Sequence, residues 1–447
     1  MKKEEKAEEA KTVEEAEGGV KKTVRLLQPL RGMKDILPAD APFWKIAFDK
    51  VTSLAADYGF ERLETPVLEE AGLFFRSLGR DTDIVEKEMY VFEDLDGEKV
   101  TLRPEATASV VRAYLNHGMW NLPQPVKVWY WGPMFRHERP QSGRYRQFYQ
   151  FGFELLGEAA PVADAVIILI AYNFYHELGV PVSIQLNSIG CPECREKYKN
   201  ELIQYYRAER SKLCEFCKKR MQRNPMRLLD CKEPGCQPVK SGAPQILDFL
   251  CDPCREHFMA VLEYLDELGL PYFLNHSLVR GLDYYTRTVF EIYATGEEGE
   301  SQTSLGGGGR YDLLAGILGG RPTPACGFAH GLERAVSKIK EAGQVAPPLE
   351  IKEVFVAQLG EAARRKAIVL FENCRRAGLK AVGDLYKGGL RPQLEMADKL
   401  KARYALIIGQ KEVQDGSVII RDMESGNQET VDFNKAIPEI KKKLFLS

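Results

Sequence analysis

The sequence predicts an α+β domain built on an antiparallel sheet, with a mostly helical, cysteine-rich insertion, followed by a C-terminal three-layer α/β domain. Three observations lead to this prediction. Short segments with polar residues at alternate positions, separated by glycine or charged turns, are typical of antiparallel strands. Eight of the ten cysteines lie between Cys191 and Cys254, in a stretch that is otherwise mostly helical in pattern. Beyond residue 350, strand and helix patterns alternate in the order of an α/β unit.

The composition indicates a folded chain without membrane contact. A length of 447 residues exceeds one ordinary core, so two or three domains are expected. Hydrophobic residues make up 44% of the chain, yet no apolar run is long enough to span a bilayer. The Lys/Glu-rich start does not resemble a signal peptide, and we expect a cytoplasmic location. With a net charge of -2, any nucleic acid must bind to local basic patches.

The antiparallel domain is predicted to begin after a charged tail. Residues 1–25 contain too little apolar surface to offset the entropy of ordering, so we expect this tail to be disordered. The first part of the domain, residues 26–187, opens with a helical apolar pattern from Phe43 to Leu54. Its predicted strands cover residues 61–68, 88–92, 100–102, 126–132, 148–156 and 182–187.

The insertion is predicted at residues 188–271, with its cysteine pairs near helix ends. The second part of the antiparallel domain, residues 272–340, contains predicted strands at 272–273 and 288–293 and a helix at 327–340. Gly343, Pro347 and Pro348 mark residues 341–350 as a linker. The last domain, 351–447, is predicted to hold a largely parallel sheet, with elements at 354–357, 362–376, 381–382, 390–401, 405–408 and 418–421.

One segment has the composition of a strand but an unusual density of polar groups. Residues 279–291 read VRGLDYYTRTVFE and contain Arg280, Asp283, Tyr284 and Tyr285. Five guanidinium donors, a carboxylate and two phenolic hydroxyls suit the binding of a small polar molecule. A tyrosine-rich edge strand with a surface ion pair has the same composition. The segment alone leaves both interpretations open.

A second segment, residues 129–157, predicts a hairpin with a basic loop between aromatic strands. The loop contains Arg136, Arg139, Arg144 and Arg146. A planar guanidinium binds two phosphate oxygens at once, so these arginines favour a phosphate site over a solvated loop.

Three shorter segments add candidate residues. Glu105 and Thr107 precede an apolar helix pattern; they suit either an ammonium ligand or a plain helix N-terminus. The run GGGGRYD at 306–312 allows close backbone approach to a ligand but also fits a flexible turn. In the segment 327–334, Arg334 could face a polyanion, and His330 is interpreted as a packing residue.

These segments, in this order, resemble the histidyl-tRNA synthetases, a family of class II aminoacyl-tRNA synthetases. The resemblance extends from about Leu26 to the C-terminus. Arg136 matches the motif 2 arginine, Arg334 matches the motif 3 arginine, and Pro66 lies in the motif 1 strand at the dimer interface. The sequences RGLDYY and GGRYD match the two histidine-specific signatures of the family.

The resemblance implies a reaction and a set of roles. Histidine and ATP, bound with Mg²⁺, would form histidyl adenylate, and the acyl group would pass to the 3′ end of tRNA(His). It implies Arg280 and Arg136 as catalytic residues, Arg136, Arg144 and Arg334 as ATP-binding residues, and Gln141 and Arg146 as contacts to the tRNA acceptor end. It also implies an anticodon-binding domain at the C-terminus and a homodimer. The implied histidine-binding residues are Glu105, Thr107, Gln150, Glu154, Tyr284 and Tyr285.

The eight clustered cysteines predict structural zinc. Three CxxC pairs, and a fourth pair with a longer spacing, would suit one or two four-cysteine sites in a reducing cytosol. A metal-free thiol cluster is the alternative. We expect such sites to hold together helices that contact tRNA. Cys326 and Cys374 are expected to be packing residues. The ligand candidates are Cys191, Cys194, Cys214, Cys217, Cys231, Cys236, Cys251 and Cys254.

Two other functions compete with the synthetase interpretation. An inactive paralogue that regulates ATP phosphoribosyltransferase would tend to lose the catalytic arginines, the histidine signatures and the C-terminal domain, all of which this chain retains. A zinc-bearing RNA-binding module would explain the cysteines but not RGLDYY and GGRYD. Ala106 and His330 depart from the residues usual in the family, and the role of Asp283 stays open between ligand contact and orientation of a neighbouring arginine.

Overall fold

The chain folds into two compact units that divide after Gln344. The tail predicted at 1–25 and most of the linker predicted at 341–350 lie outside the described residues. A computed structural model describes residues 26–79, 82–140, 143–295, 304–344, 352–386 and 388–445.

An eight-stranded sheet forms the centre of the first unit. The strands of this unit are β1 (Glu61–Arg62), β2 (Leu68–Glu70), β3 (Tyr90–Glu93), β4 (Lys99–Leu102), β5 (Val126–Phe135), β6 (Gln147–Leu156), β7 (Val182–Ser188), β8 (Tyr272–Leu274), β9 (Thr286–Ala294), β10 (Ser304–Arg310) and β11 (Ala325–Gly331). The main sheet has the order β1-β5-β6-β11-β10-β9-β7-β8, and β2-β4-β3 form a small second sheet. Only the two edge pairings of the main sheet are parallel. The predicted antiparallel sheet is confirmed.

Ten helices surround this sheet in the described part of the first unit, and four of them form the insertion. They are α1 (Ala41–Tyr58), α2 (Ala71–Ser77), α3 (Thr107–Asn116), α4 (Pro161–His176), α5 (Pro192–Ala208), α6 (Glu215–Arg223), α7 (Gln237–Ser241), α8 (Asp252–Glu267), α9 (Leu314–Ile317) and α10 (Leu332–Glu341). Helices α5 to α8, with short helical turns between them, build the insertion. Its helical character confirms the prediction.

Helix α4 supplies much of the core behind the sheet. Pro161 at its first turn has the backbone angle that a helix start requires. The helix is apolar on most sides because it is buried between the sheet and neighbouring helices. Phe174 packs on Phe151 of β6 with ring centres 4.5 Å apart, and Phe153 stacks on Phe328 of β11 at 5.4 Å. Each buried ring contributes about 1.5–3 kcal/mol, so this face holds the central strands in place.

Three predicted elements differ from the structure. The strand predicted at 61–68 is divided into β1 and β2, which belong to different sheets. The helix predicted at 327–340 begins only at Leu332, because the preceding residues form β11. The glycine run is strand β10 and not a turn. A Cβ at Gly308 would lie 2.0 Å from the carbonyl oxygen of Gly327, so glycine permits this close packing between strands.

The second unit is an α/β domain with a mixed sheet. Its elements are β12 (Val354–Gln358), α11 (Glu361–Arg376), β13 (Ala381–Gly383), α12 (Leu390–Lys399), β14 (Tyr404–Ile408), α13 (Gln410–Asp415), β15 (Ser417–Asp422), β16 (Gln428–Asp432) and α14 (Ala436–Phe445). The strand order is β13-β12-β14-β15-β16. The two pairings of β12 are parallel, but β14-β15 and β15-β16 are antiparallel. The prediction of a largely parallel sheet was therefore wrong for half of the pairings. The sequence missed β16 because its exposed residues are polar.

Among the described helices, none is both long and apolar enough to cross a membrane.

Candidate active site

A cavity of about 370 Å³ opens on the main sheet, beside the segment that precedes β9. Its walls come from β6, β10, β11, the loop between β5 and β6, and the start of α3. Most residues predicted to bind substrates therefore meet at one place, although they are separated by up to 229 positions between Glu105 and Arg334. The predicted residues that line it are Arg280, Arg136, Glu105, Thr107, Gln150, Tyr284, Tyr285, Arg144 and Arg334.

Glu154 lies beneath the cavity on β6 and is fully buried. Its carboxyl group accepts a hydrogen bond of 2.7 Å from the Thr107 hydroxyl and another from the Tyr311 hydroxyl. Burial raises the pKa of Glu154 to about 8, so the group is mostly protonated at neutral pH. A Cβ at Gly327 would lie 1.7 Å from a Glu154 carboxyl oxygen, and this glycine therefore leaves room for the acid.

Three tyrosines surround this acid. Tyr284 packs against Tyr285 with ring centres 4.7 Å apart and against Tyr311 at 5.7 Å. All three side chains are buried, and burial raises the pKa of Tyr285 above its ordinary value. These phenols therefore stay protonated and can donate or accept hydrogen bonds. Together with Glu154 they form a polar pocket inside an apolar wall.

Glu105 caps the N-terminus of α3. Its two carboxylate oxygens accept hydrogen bonds from the amides of Thr107, at 2.7 Å, and Ala108, at 2.9 Å. The helix N-terminus that the sequence offered as an alternative is thus present. Burial raises the pKa of this carboxyl group. Each carboxylate oxygen has a second lone pair, so Glu105 can still accept a hydrogen bond from a ligand in the cavity.

Gln150 has a free acceptor at the cavity wall. Its side-chain oxygen is buried and has no hydrogen-bond partner among the described residues. Leaving such a group unpaired costs about 1–3 kcal/mol. A ligand with an N–H donor would recover part of this cost.

Three arginines hold defined positions around the cavity. Arg136 donates to the carbonyl of Pro104 at 2.8 Å and lies over the Phe148 ring at 5.3 Å. Arg334, in the first turn of α10, donates to the carbonyl of Gly143 at 3.0 Å. Arg144 donates to Glu138 at 3.1 Å and is about half exposed. Each arginine has further N–H groups beyond these bonds, which suits the binding of phosphate oxygens.

Arg280 is ion-paired with Glu291, a carboxylate of β9. The guanidinium also lies over the Tyr285 ring, 5.6 Å from its centre. Burial alone would lower the pKa of Arg280, but the adjacent Glu291 carboxylate raises it by more. The pKa therefore lies above its ordinary value, and the arginine stays charged. A Cβ at Gly307 would lie 2.9 Å from an Arg280 nitrogen, so the glycine strand gives the guanidinium its space.

Of the two predicted tRNA contacts, only Arg146 is among the described residues, and it does not line the cavity. Gln141 lies outside the described residues. Arg146 donates to the Glu138 carbonyl at 3.3 Å, and its backbone pairs with Arg136 and with Gly32. It therefore braces the loop that carries Arg136.

The sequence interpretation gave no role to three residues at the site. Tyr311, inside the GGRYD signature, bonds Glu154; Glu291 pairs with Arg280; and Arg227 of the insertion reaches the cavity wall. The position of Glu291, at the end of the polar segment, was the only available signal for its role. Arg227 gave none, since its contact depends on how the insertion packs.

The eight insertion cysteines form two separate clusters. Within each cluster all sulfur atoms lie within 4.8 Å of one another. Cys191 is 3.5 Å from Cys194 and 4.0 Å from Cys251. Zinc–sulfur bonds of about 2.3 Å in a tetrahedron place sulfurs about 3.8 Å apart, so the residues fit zinc. The clusters are Cys191, Cys194, Cys251 and Cys254, and Cys214, Cys217, Cys231 and Cys236.

His330, Cys326 and Cys374, which were predicted to be packing residues, are all buried. His330 is fully buried among Phe151, Tyr175 and Phe328, and neither ring nitrogen has a partner among the described residues. Burial lowers its pKa to about 3, so the ring is neutral. Cys326 and Cys374 are also buried.

Comparisons with known proteins agree with this geometry. The sequence model described as "Histidyl-tRNA synthetase" matches residues 32–193 and 250–335, and that described as "Anticodon binding domain" matches 353–443. A histidine–tRNA ligase from Dehalococcoides mccartyi is 47% identical over 94% of this chain and 100% of its own length. The crystal structure of apo S. aureus histidyl-tRNA synthetase has a TM-score of 0.76 at 33% identity and covers 93% of this chain and 100% of its own.

A third similarity concerns fold alone. A Bacillus halodurans structure titled as an ATP phosphoribosyltransferase regulatory subunit/histidyl-tRNA synthetase has a TM-score of 0.61 at 20% identity, covering 86% of this chain and 98% of that one. The family model covers more than half of the chain, and the D. mccartyi relative is similar over its entire length. The chain belongs to the histidyl-tRNA synthetase family of class II aminoacyl-tRNA synthetases.

Proposed function

We propose that the chain is a histidine–tRNA ligase, which activates L-histidine with ATP and transfers it to the 3′ end of tRNA(His). The observation that carries this proposal is one cavity whose wall joins Tyr284 and Tyr285, which pack beside the buried Glu154, to several arginines. The first part suits a small, polar amino acid side chain, and the second suits a triphosphate. Family membership supports the same reaction.

In this proposal, histidine binds at the Glu154 end of the cavity. Glu105, Thr107 and Gln150 bind the amino group, for which the unpaired Gln150 oxygen is a suitable acceptor. Glu154, Tyr284 and Tyr285 surround the imidazole. A pocket that hydrogen-bonds both ring nitrogens leaves its own groups unpaired with other amino acids, and such a site can reject competitors by about 10⁴-fold or more.

The arginines act on the ATP phosphates. A carboxylate oxygen of histidine attacks the α-phosphorus, the bond to the bridging oxygen breaks, and pyrophosphate leaves. Arg136 and Arg280 hold the α-phosphate from two sides, while Arg334 and Arg144 bind the outer phosphates. Mg²⁺ arrives with ATP as part of the substrate. Charged donors that are already in place stabilise the developing negative charge without reorganisation.

The remaining parts of the chain serve tRNA and assembly. Gln141 and Arg146 contact the acceptor end, and residues 351–447 bind the anticodon. We also propose a homodimer formed around the motif 1 segment at Pro66. Exposed apolar residues on the adjacent small sheet support it, since Leu68 is 44% and Phe92 is 47% exposed. Light scattering should give twice the chain mass of 50.5 kDa.

The regulatory paralogue is the second candidate, because its fold is similar. The ligase and the regulatory paralogue share a fold, so the catalytic arginines distinguish them better than the fold does. The chain retains Arg136, Arg280 and Arg334, together with a second unit that matches the anticodon-binding model over residues 353–443.

The experiment that tests the proposal is ATP–pyrophosphate exchange by the purified protein. We expect exchange that requires histidine and does not occur with other amino acids at equal concentration. Aminoacylation of tRNA(His) should follow. A protein that binds histidine but shows no exchange would favour the regulatory candidate.

We further propose that each cysteine cluster binds one structural zinc ion. Protein purified without chelator should contain two zinc ions per chain, measured by elemental analysis. Cys194→Ser and Cys217→Ser should each reduce the content to one, because each removes a ligand from a different cluster. Cys374→Ser, in the core of the second unit, is the matched control and should keep both ions. A content of one zinc ion or less per wild-type chain would contradict this proposal.

A further inference from the structure

The insertion contacts the histidine-signature segment, residues 279–285, through two arginines. Arg195 of α5 donates to the carbonyl of Tyr285 at 2.9 Å and to that of Asp283 at 3.5 Å. Arg227 donates to the carbonyl of Gly281 at 2.7 Å. All three bonds run from a charged group to a backbone oxygen, so they act on the path of the chain and not on one side chain.

The segment has little regular backbone support of its own. Residues 278–285 belong to neither a strand nor a helix, and β9 begins only at Thr286. Its backbone amides reach to residues outside it: Leu278 donates to the Asn275 carbonyl at 2.9 Å, and Asp283 donates to the Leu78 carbonyl at 3.4 Å. Carbonyls outside a ladder need other donors when they are buried. The two arginines supply these donors on the insertion side.

Both arginines are placed by the cysteine clusters. Arg195 follows Cys194 directly, on the helix that begins after Cys191. Arg227 lies in the helical turn Pro225–Asp230, between Cys217 and Cys231. Each cluster therefore fixes the backbone close to one of the two guanidinium groups.

The C-terminal end of the segment is fastened beside the first cluster as well. The amide of Arg287 donates to the Gly190 carbonyl at 2.9 Å, and the amide of Ile189 donates to the Arg287 carbonyl at 2.8 Å. Arg287 has φ of 51°, which is uncommon for a residue other than glycine. The surrounding contacts hold this conformation, and Gly190 directly precedes Cys191.

The two contacts act at different ends of the segment. Arg195 binds next to Tyr284 and Tyr285, and it does not line the cavity. Arg227 binds next to Arg280. Both arginines belong to residues 194–249, which the family model leaves unmatched. The contacts are therefore a feature of this chain's insertion, and the family match does not supply them.

We propose that Arg195 and Arg227 are positioning residues through which the cysteine-rich insertion sets histidine recognition and activation. This inference rests on the proposed function for its kinetic consequences. Arg195 keeps the two tyrosines at the imidazole, and Arg227 keeps Arg280 at the α-phosphate. The insertion then tunes the active site through Arg195, which lies outside the cavity, and through Arg227, which lies in its wall.

Amide hydrogen exchange, measured by mass spectrometry on the peptide that covers residues 278–287, tests the contacts without an activity assay. Arg195→Ala and Arg227→Ala should each speed exchange in this peptide by about tenfold, since each removes a charge-assisted bond. Arg207→Ala, an exposed arginine on the same helix as Arg195, is the control and should match the wild type. Unchanged exchange in both variants would overturn the proposal.

Kinetics test the consequence. Arg195→Ala should raise the histidine KM by about tenfold and leave the ATP KM within twofold, while Arg227→Ala should mainly lower kcat. Arg195→Lys keeps one donor and should restore part of the affinity; it also replaces the alanine variant if that variant does not fold. If the histidine KM, the ATP KM and kcat all worsened equally, and Arg195→Lys did not restore affinity, the role of the arginine would be merely structural. If the wild type showed no histidine-dependent ATP–pyrophosphate exchange, the proposed function would be refuted. The amide hydrogen exchange result on the two arginine contacts would still stand.

Discussion

An Arg280→Ala variant is expected to lose about 10²–10³-fold in ATP–pyrophosphate exchange while it still binds histidine. In the proposed reaction the guanidinium is the charged donor on the side of the α-phosphate opposite Arg136, so its removal would leave developing charge without a partner. Because Arg280 is ion-paired with Glu291, the alanine also leaves a carboxylate without its counter-charge near the phosphate. Both effects act on the transition state in the same direction.

The two effects can be separated with a second substitution. In the double variant Arg280→Ala/Glu291→Gln, the uncompensated charge of Glu291 is gone, but the guanidinium donor is still absent. If the lost phosphate contact dominates, the double variant should remain close to the single variant in its exchange rate. Full recovery would assign the loss to Glu291. Arg280→Lys should lie between the wild type and alanine, because lysine keeps the charge without the planar fork. Calorimetry should give a similar histidine affinity in all of them, and a normal exchange rate in Arg280→Ala would contradict the role of this arginine.

A Glu154→Gln variant is expected to raise the histidine KM by about 10–100-fold and to leave the ATP KM unchanged. Glutamine has the same size, but its amide nitrogen can only donate. The hydroxyls of Thr107 and Tyr311 both donate to the Glu154 carboxyl group, so the substitution leaves one buried group unpaired. Such a group costs about 1–3 kcal/mol, which corresponds to this change in affinity.

Glu177→Gln is the matched control for this substitution. Its carboxylate lies outside the cavity and pairs with Lys50 at 2.8 Å, so the kinetics should equal those of the wild type. A Glu154→Gln variant with the wild-type histidine KM would remove Glu154 from histidine recognition.

The pH dependence of stability gives an independent measurement on the same acid. The pKa of Glu154 is raised from 4.5 to about 8, so the native state favours the protonated form. Its contribution to the free energy of unfolding is therefore fully present below pH 4.5 and is lost as the pH rises towards 8. Glutamine does not titrate. Denaturant unfolding at several pH values should show that the wild type loses more stability over this range than Glu154→Gln; parallel curves would mean that the native acid ionises at its ordinary pKa.

Much of the fold followed from local pattern. Alternating polar residues predicted β5, β6, β7 and β9, because a strand with one buried face repeats every two residues. The glycine strand β10 was missed for the same reason, since glycine has no side chain to show a period. The start of α10 was misplaced, because β11 is buried on both faces and its apolar residues resemble a helix by composition.

The sequence by itself determined the family and most of the candidate binding residues, because the motifs occur together in one order. Tertiary packing alone decided which cysteines share a cluster, that Glu291 pairs with Arg280, and that Arg195 and Arg227 reach the signature segment. Cys191 and Cys251 lie 60 positions apart in the chain and 4.0 Å apart in space. Local propensity reports on neighbours along the chain, whereas these contacts depend on how helices of the insertion pack against a distant strand.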